Sequence, residues 1–200
     1  MKPYLAFILF GYISGSIMYA YLLPKLFLNM NICERSTDGN PGVANVFLNA
    51  GTGIGILVLI LELFKGFFPV FLAARALNLH HPMFAFVLAA PVMGHAFPLS
   101  MKFQGGKSIA VSFGVLLGLL PIWMPVCLLA AFYLLFSLVI VICPHFYRSI
   151  VTYGFLSISA LLLFETFSLT AGCFLISAIV IFKHFRRYQG EKLEIRLFSF

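Results

Sequence analysis

The chain alternates between long apolar stretches and short polar loops, and the apolar stretches are long enough to cross a membrane. In lipid, every backbone amide and carbonyl needs a hydrogen bond inside its own segment, so a spanning stretch of roughly 20 apolar residues is helical. We therefore predict about seven transmembrane helices. Their predicted bounds are residues 4–23, 53–74, 83–100, 108–120, 122–142, 149–164 and 167–182.

Composition agrees with this pattern. The chain is 62% hydrophobic and only 10% charged, whereas about a quarter of the residues of a soluble domain are charged. No polar stretch is long enough for a separate soluble domain, so we expect residues 1–200 to form one all-α integral membrane domain. The net charge is +7. We attribute it to membrane topology and contact with anionic membrane lipid, and expect no nucleic-acid partner.

The basic residues indicate the orientation of the chain. With seven spans the two ends lie on opposite sides of the membrane, and Lys2 and Arg75 fall on one side. The basic residues on the other side are Lys25, Arg35, Lys102, Lys107, Arg148, Lys183, Arg186, Arg187, Lys192 and Arg196. The positive-inside rule therefore predicts that the N-terminus lies outside and the C-terminus in the cytoplasm.

Two charged residues, Glu62 and Lys65, lie within the second predicted span. They are three positions apart, so on a helix they share a face and can pair. Ionisable side chains in lipid are costly and usually mark function. We interpret the two residues either as a mutually neutralised structural pair or as part of a substrate site.

A glycine-rich loop precedes the fourth predicted span. It reads Gly105-Gly106-Lys107-Ser108, and His95 ends the preceding span. Amides at a helix N-terminus attract anions, and glycine lets a phosphate approach them closely. The full spacing of a nucleotide-binding P-loop is absent. Taken alone, the loop favours a basic segment at the membrane interface over a ligand site.

Another polar loop, DGNPGVAN at residues 38–45, separates two apolar stretches. Asparagine and glycine favour tight turns, and asparagine side chains donate hydrogen bonds without adding charge. A plain turn would explain this loop. The predicted topology, however, puts it on the same face as the glycine-rich loop and the basic tail, so the three segments together predict one anion site. With so few acids, we expect no metal site and no cofactor.

Four segments of the chain match the motifs of one known family. They are GSI at residues 15–17, DGNPGVANVF at 38–47, ELFKGFFPV at 62–70 and GHAFPLSMKFQGGKSIAVSFGVLLG at 94–118. Through them the chain resembles the bacterial acyl-phosphate:glycerol-3-phosphate acyltransferases of the PlsY type. The resemblance implies a seven-helix enzyme of the bacterial cytoplasmic membrane. Such an enzyme moves a fatty acyl group from acyl phosphate to the sn-1 hydroxyl of glycerol 3-phosphate, which gives lysophosphatidic acid for phospholipid synthesis.

The same resemblance implies which residues form the site. Lys107 and His95 are expected to be catalytic, with Lys107 on a phosphate and His95 near the reacting centre. The proton of the glycerol hydroxyl would go either to His95 or to the phosphate of the donor. The substrate-binding residues implied are Ser36, Gly39, Asn40, Gly42, Asn45, Lys65, Gly105, Gly106, Ser108 and His184.

The chain departs from the family pattern at several places, among them Met18 where a proline often follows GSI and Glu62 where an aspartate is usual. Leu48 stands where the family usually has an arginine, and the stretch after His184 lacks the family asparagine but keeps Arg186 and Arg187. Loss of a guanidinium removes a bidentate phosphate ligand. Two further hypotheses therefore stay open: a divergent enzyme with another acceptor, and a protein that binds or transports a small anion without catalysis.

Overall fold

The computed structural model describes residues 1–198, and this part of the chain is mostly helical. Its α-helices are α1 (Lys2–Gly15), α2 (Tyr19–Leu28), α3 (Ile32–Arg35), α4 (Val43–Ala50), α5 (Thr52–Ala76), α6 (Phe84–Ala96), α7 (Ile109–Leu117), α8 (Met124–Leu134), α9 (His145–Leu163) and α10 (Phe167–Phe185). A 3₁₀ turn covers Leu99–Met101 and a π-helical segment covers Leu135–Val139. Two strands, β1 (Ile140–Cys143) and β2 (Glu194–Leu197), complete the elements.

Five helical segments within residues 1–198 are long and apolar enough to cross a membrane: Lys2–Leu28, Thr52–Ala76, Phe84–Met101, His145–Leu163 and Phe167–Phe185. The integral membrane class predicted from composition is therefore confirmed. The other two predicted spans correspond to shorter helices, α7 and the segment Met124–Val139. The number of seven crossings stays a prediction.

The two strands were not expected from an all-α prediction. They pair antiparallel, with Ile140 opposite Leu197 and Cys143 opposite Glu194, and β1 begins inside the predicted span 122–142. Its β-branched residues favour extended backbone. A short apolar run of this kind cannot be told from a helix by its pattern alone, which explains the difference.

The helices pack as a bundle around α5, α6 and α10. Helix α1 lies against α6 and α5, α7 against α5, α9 against α10, and α8 against α9. Large apolar side chains such as Phe84, Leu116 and Ile176 are fully buried between them. The outer surface is also apolar, with exposed side chains such as Leu9 and Leu162, as expected where helices face lipid.

Polar contacts mark one end of the bundle. The Tyr4 hydroxyl donates to the carbonyl of Asn78 at 3.1 Å, and the Ser168 hydroxyl donates to the carbonyl of Leu79. These contacts bring together the beginning of α1, the loop after α5 and the beginning of α10. Helix α10 therefore ends at the opposite end of the bundle from the start of α1. The side that faces the cytoplasm stays a prediction.

Helices α5 and α7 approach each other most closely at Gly114. A Cβ atom at this position would lie 2.0 Å from the carbonyl oxygen of Leu63. We expect Gly114→Ala to lower the free energy of unfolding by about 1–3 kcal/mol, because the helices would have to separate. The measurement is the thermal unfolding midpoint in detergent micelles.

Gly154→Ala is the matched control, since Gly154 lies within α9 and a Cβ there would have no atom within 4 Å. This variant should be unchanged or slightly stabilised, because alanine favours a helix more than glycine does. Equal stability of the two variants would contradict the tight crossing.

Candidate active site

The 38–45 loop is held together by hydrogen bonds to the carboxylate of Asp38. Its Oδ1 accepts hydrogen bonds from the backbone N–H of Asn40 at 3.1 Å and from the side-chain amide of Asn45 at 2.9 Å. The Asn45 amide also donates to the carbonyl of Asn40 at 2.8 Å. Gly39 has φ +63°, a conformation that glycine adopts without steric cost. The loop conformation thus depends on one acid and its two asparagine neighbours.

The other carboxylate oxygen joins this loop to the rest of the site. Asp38 Oδ2 lies 2.9 Å from Lys107 Nζ, and the two side chains are 23% and 20% exposed. The Arg187 guanidinium donates to the carbonyls of Asp38, at 2.7 Å, and of Gly105, at 3.1 Å. The three polar segments that the sequence placed on one face therefore do meet.

Asp38 carries a negative charge at neutral pH. Burial by itself would raise the pKa of its carboxyl group. The hydrogen bond and charge of Lys107, together with the hydrogen bonds inside the loop, outweigh burial and hold the pKa below its ordinary value. Asp38 therefore presents its negative charge to the Lys107 side chain, 2.9 Å away.

The glycine-rich loop lies flat against the end of α6. Gly105 N–H donates to the carbonyl of Ala96 at 3.2 Å, and Gly106 N–H donates to the carbonyl of His95 at 3.1 Å. A Cβ atom on Gly106 would lie only 2.3 Å from His95 Nε2. The glycines therefore allow this loop to pack closely against the end of α6. Their two amides are engaged by α6, and phosphate binding by them stays a prediction.

Beneath this loop, Glu62, Lys65 and His95 form a cluster that is buried inside the bundle. Lys65 Nζ lies 2.8 Å from Glu62 Oε2 and 2.9 Å from His95 Nδ1, and it also donates to the carbonyl of Ile17 at 2.5 Å. His95 Nδ1 is 3.1 Å from Glu62 Oε2. Ala20 N–H donates to Glu62 Oε1 at 3.3 Å. The cluster thus holds the break between α1 and α2.

His184 is fully buried near the end of α10. Its Nδ1 lies 2.8 Å from the carbonyl of Val180. A carbonyl only accepts hydrogen bonds, so Nδ1 carries the ring proton and Nε2 bears a lone pair. This Nε2 is buried and has no hydrogen-bond partner within residues 1–198, and the same holds for Asn40 Oδ1. Both atoms are free to accept a hydrogen bond.

The remaining predicted residues lie around these groups. The hydroxyls of Ser36 and Ser108 donate to backbone carbonyls, at 3.4 Å and 3.1 Å. Gly42 packs closely against the Asn40 side chain, since a Cβ there would lie 2.4 Å from Nδ2. Leu48, at the position of the family arginine, is 82% exposed on α4.

A polar cavity of about 500 Å³ opens beside the ion pair. Asp38 lies on its wall, and Lys183, Arg186 and Arg187 at the end of α10 also line it. Within residues 1–198 no three His, Cys, Asp or Glu side chains are grouped so that they could hold a metal ion. The positively charged side chains that line the cavity belong to one lysine and two arginines.

An apolar groove of about 480 Å³ runs along the break between α1 and α2. Its walls include Tyr12, Ile17 and Leu22 on one side and Leu99 and Met101 on the other. The apolar lining of this groove suits an alkyl chain. It lies beside the part of the bundle that the Glu62 cluster holds in place, because Ile17 contributes to both.

Sequence reasoning did not select Asp38 or Lys183 as site residues. Asp38 was part of a recognised motif, but only the fold shows that its carboxylate contacts Lys107. The sequence did offer a reason to consider Lys183, because it is a charged residue near the end of an apolar span, next to His184. Such residues usually face a cavity or a partner.

The comparisons with known proteins agree with this geometry. The family model for glycerol-3-phosphate acyltransferase matches residues 5–190. The chain belongs to this family. Two similar relatives bear the same name: the protein of Staphylococcus aureus strain JH9 is 30% identical over 94% of this chain and 96% of its own length. The protein of Myxococcus xanthus is 40% identical over a shorter stretch, which covers 58% of this chain and 60% of the relative's own length.

Comparison with solved structures shows that the chain has the fold of PlsY. The chain is similar to crystal structures of PlsY, an integral membrane glycerol 3-phosphate acyltransferase. Its glycerol 3-phosphate form aligns with a TM-score of 0.78 at 24% identity, over 92% of this chain and 89% of that chain. Its lysophosphatidic acid form aligns with a TM-score of 0.74 at 25% identity, over 91% and 88%.

We predict that the buried cluster stabilises the fold and does not contact substrate. Lys65→Met would leave the Glu62 carboxylate buried without its cation, which should cost about 3–5 kcal/mol of unfolding free energy. The double variant Glu62→Leu/Lys65→Met removes both charges and should recover much of this loss. Thermal unfolding in detergent measures both effects. A Lys65→Met protein that stays fully stable but loses turnover would instead place Lys65 in the substrate site.

Proposed function

We propose that the protein transfers a fatty acyl group from acyl phosphate to the sn-1 hydroxyl of glycerol 3-phosphate at the cytoplasmic face of the bacterial membrane. Membership of the glycerol-3-phosphate acyltransferase family supports the acceptor. The structural observation that supports the whole reaction is the position of the Asp38–Lys107 pair. It lies beside a cationic cavity at one end of a bundle of apolar helices.

The two substrates differ in polarity, and the site offers a surface for each. Glycerol 3-phosphate is small and anionic, so it suits the polar cavity lined by lysine and arginine. The acyl chain of the donor suits the apolar groove along the break between α1 and α2. Holding both at one end of the bundle would bring hydroxyl and acyl carbon together, which is a large part of catalysis for two reactants.

The reaction needs no covalent enzyme intermediate, because acyl phosphate is a mixed anhydride with a good leaving group. The sn-1 hydroxyl oxygen of glycerol 3-phosphate attacks the acyl carbon and forms the ester bond. The bond between the acyl carbon and the phosphate oxygen breaks, and inorganic phosphate leaves. Lys107 stabilises the negative charge that grows on the departing phosphate.

The hydroxyl proton leaves as the ester forms. His95 is packed against Lys65 and Gly106, so we assign it the role of positioning the glycine-rich loop. The departing phosphate can take the proton itself, because breaking its bond to the acyl carbon leaves an additional negative charge on the released oxygen. His184, whose Nε2 has a free lone pair, is the protein group best prepared to accept a hydrogen bond from the substrate hydroxyl.

A second candidate function keeps the fold and the donor but changes the acceptor. The observation that favours it is Leu48, which presents an exposed aliphatic side chain where the family usually has an arginine. An acceptor without a phosphate would not need that guanidinium. A non-catalytic anion-binding role is the third outcome that the experiment below distinguishes.

The test is transfer of labelled glycerol 3-phosphate into lysophosphatidic acid by the purified protein. Palmitoyl phosphate, acyl-CoA and acyl carrier protein loaded with an acyl group are supplied separately as donors. We expect product with palmitoyl phosphate alone. We expect Lys107→Gln to lower kcat at least about 100-fold, since it removes a charge that stabilises the transition state, and Asn40→Ala to lower turnover while both variants remain folded.

Lys102→Gln is the matched control, because Lys102 is an exposed lysine of the same loop. It should keep turnover close to that of the unchanged protein. Product from acyl-CoA in place of palmitoyl phosphate would overturn the proposed donor. Absence of product from every donor, with folded protein, would favour another acceptor or the non-catalytic role.

A further inference from the structure

The end of α10 carries a buried lysine without a counter-ion. Lys183 is only 3% exposed, and its Nζ lies 4.9 Å from the centre of the Phe97 ring. Within residues 1–198 it forms no ion pair with a carboxylate. Burial of an unpaired ammonium group is unfavourable. A residue of this kind calls for an explanation beyond folding.

Two further cations lie beside it. Arg186 and Arg187 line the same polar cavity as Lys183. Arg187 donates to two backbone carbonyls, which orient its guanidinium but do not neutralise its charge. The acid on the cavity wall, Asp38, is already paired with Lys107. The cavity therefore combines three positive side chains with no free carboxylate among the described residues.

A lysine at the end of a membrane helix often extends to the interface and keeps its ammonium group in water. The helix C-terminus also favours a cation there. Neither effect explains Lys183 fully, because an extended lysine would be exposed and Lys183 is not. Its contact with the Phe97 ring stabilises the charge only partly. An anion in the adjoining cavity, which Lys183 lines, would supply the missing counter-charge.

We propose that this cavity is a phosphate subsite whose anchor is Lys183, with Arg186 and Arg187 on its rim. The ligand class is a phosphate monoester, and its identity as a substrate rests on the proposed function. A phosphate carries close to two negative charges at neutral pH and accepts several hydrogen bonds, which matches a cavity lined by one lysine and two arginines.

The reaction itself calls for such a second subsite. Both substrates carry a phosphate, so two anions occupy the site at the same time. The charge of Lys107 is offset by Asp38, and this pair can serve one phosphate. The cavity at the end of α10 supplies the uncompensated positive charge for the other.

The decisive variant is Lys183→Met, which removes the charge and keeps an unbranched side chain only one atom shorter. Because the buried charge has no partner, the thermal unfolding midpoint should stay the same or rise. Removal of a charge-assisted hydrogen bond should weaken the affinity for inorganic phosphate at least about tenfold, as measured by calorimetric titration of the purified protein. Lys192→Met is the matched control, since Lys192 lies in the same basic tail and does not line the cavity.

Kinetics then identify the phosphate that binds. We expect Lys183→Met to raise KM at least about tenfold for glycerol 3-phosphate or for palmitoyl phosphate, each varied while the other is saturating. The substrate whose KM rises is the one whose phosphate occupies the subsite. If affinity for phosphate and both KM values are the same in Lys183→Met and Lys192→Met, the proposed subsite is wrong, even if the protein shows transfer activity. If the unchanged protein binds phosphate through Lys183 but forms no product, the subsite stands and the proposed function fails.

Discussion

The site depends on one carboxylate placed among several cations. Asp38 accepts two hydrogen bonds from its own loop, pairs with Lys107 at 2.9 Å and offers its backbone carbonyl to Arg187. Like charges that are brought together at the membrane surface repel one another. The single negative charge of Asp38 offsets this repulsion and joins segments that are far apart in the chain. The carboxylate joins the loop to the glycine-rich segment through Lys107, and the Arg187 guanidinium joins both to the end of α10.

The polar groups are arranged in two layers with different tasks. The inner layer, Glu62, Lys65 and His95, lies inside the bundle and holds the break between α1 and α2 and the floor of the glycine-rich loop. The outer layer, Asp38 with the lysines and arginines, faces the polar cavity. A rigid inner layer fixes the geometry of the outer one, which is what a site that works mainly by positioning and positive charge requires.

Much of this arrangement can be predicted from the sequence, because apolar length and motif spacing report on local structure. The membrane class, the pairing of Glu62 with Lys65 and the meeting of the three polar segments all follow from such patterns. The contact of His95 with that pair does not, since it depends on how α5 packs against α6. The lack of a carboxylate counter-ion for Lys183 among the described residues likewise cannot be predicted from the sequence. It depends on which acidic side chains the fold places near this lysine.

A double-mutant cycle on Asp38 and Lys107 tests the central claim most directly. The rate of acyl transfer from palmitoyl phosphate would be measured for the unchanged protein, Asp38→Asn, Lys107→Gln and the double variant, with the fold of each checked by thermal unfolding. If Asp38 acts by placing Lys107, the two effects are not additive, and we predict a coupling energy of at least about 1 kcal/mol. Effects that add to within about 0.5 kcal/mol would contradict the account, since the two residues would then act independently.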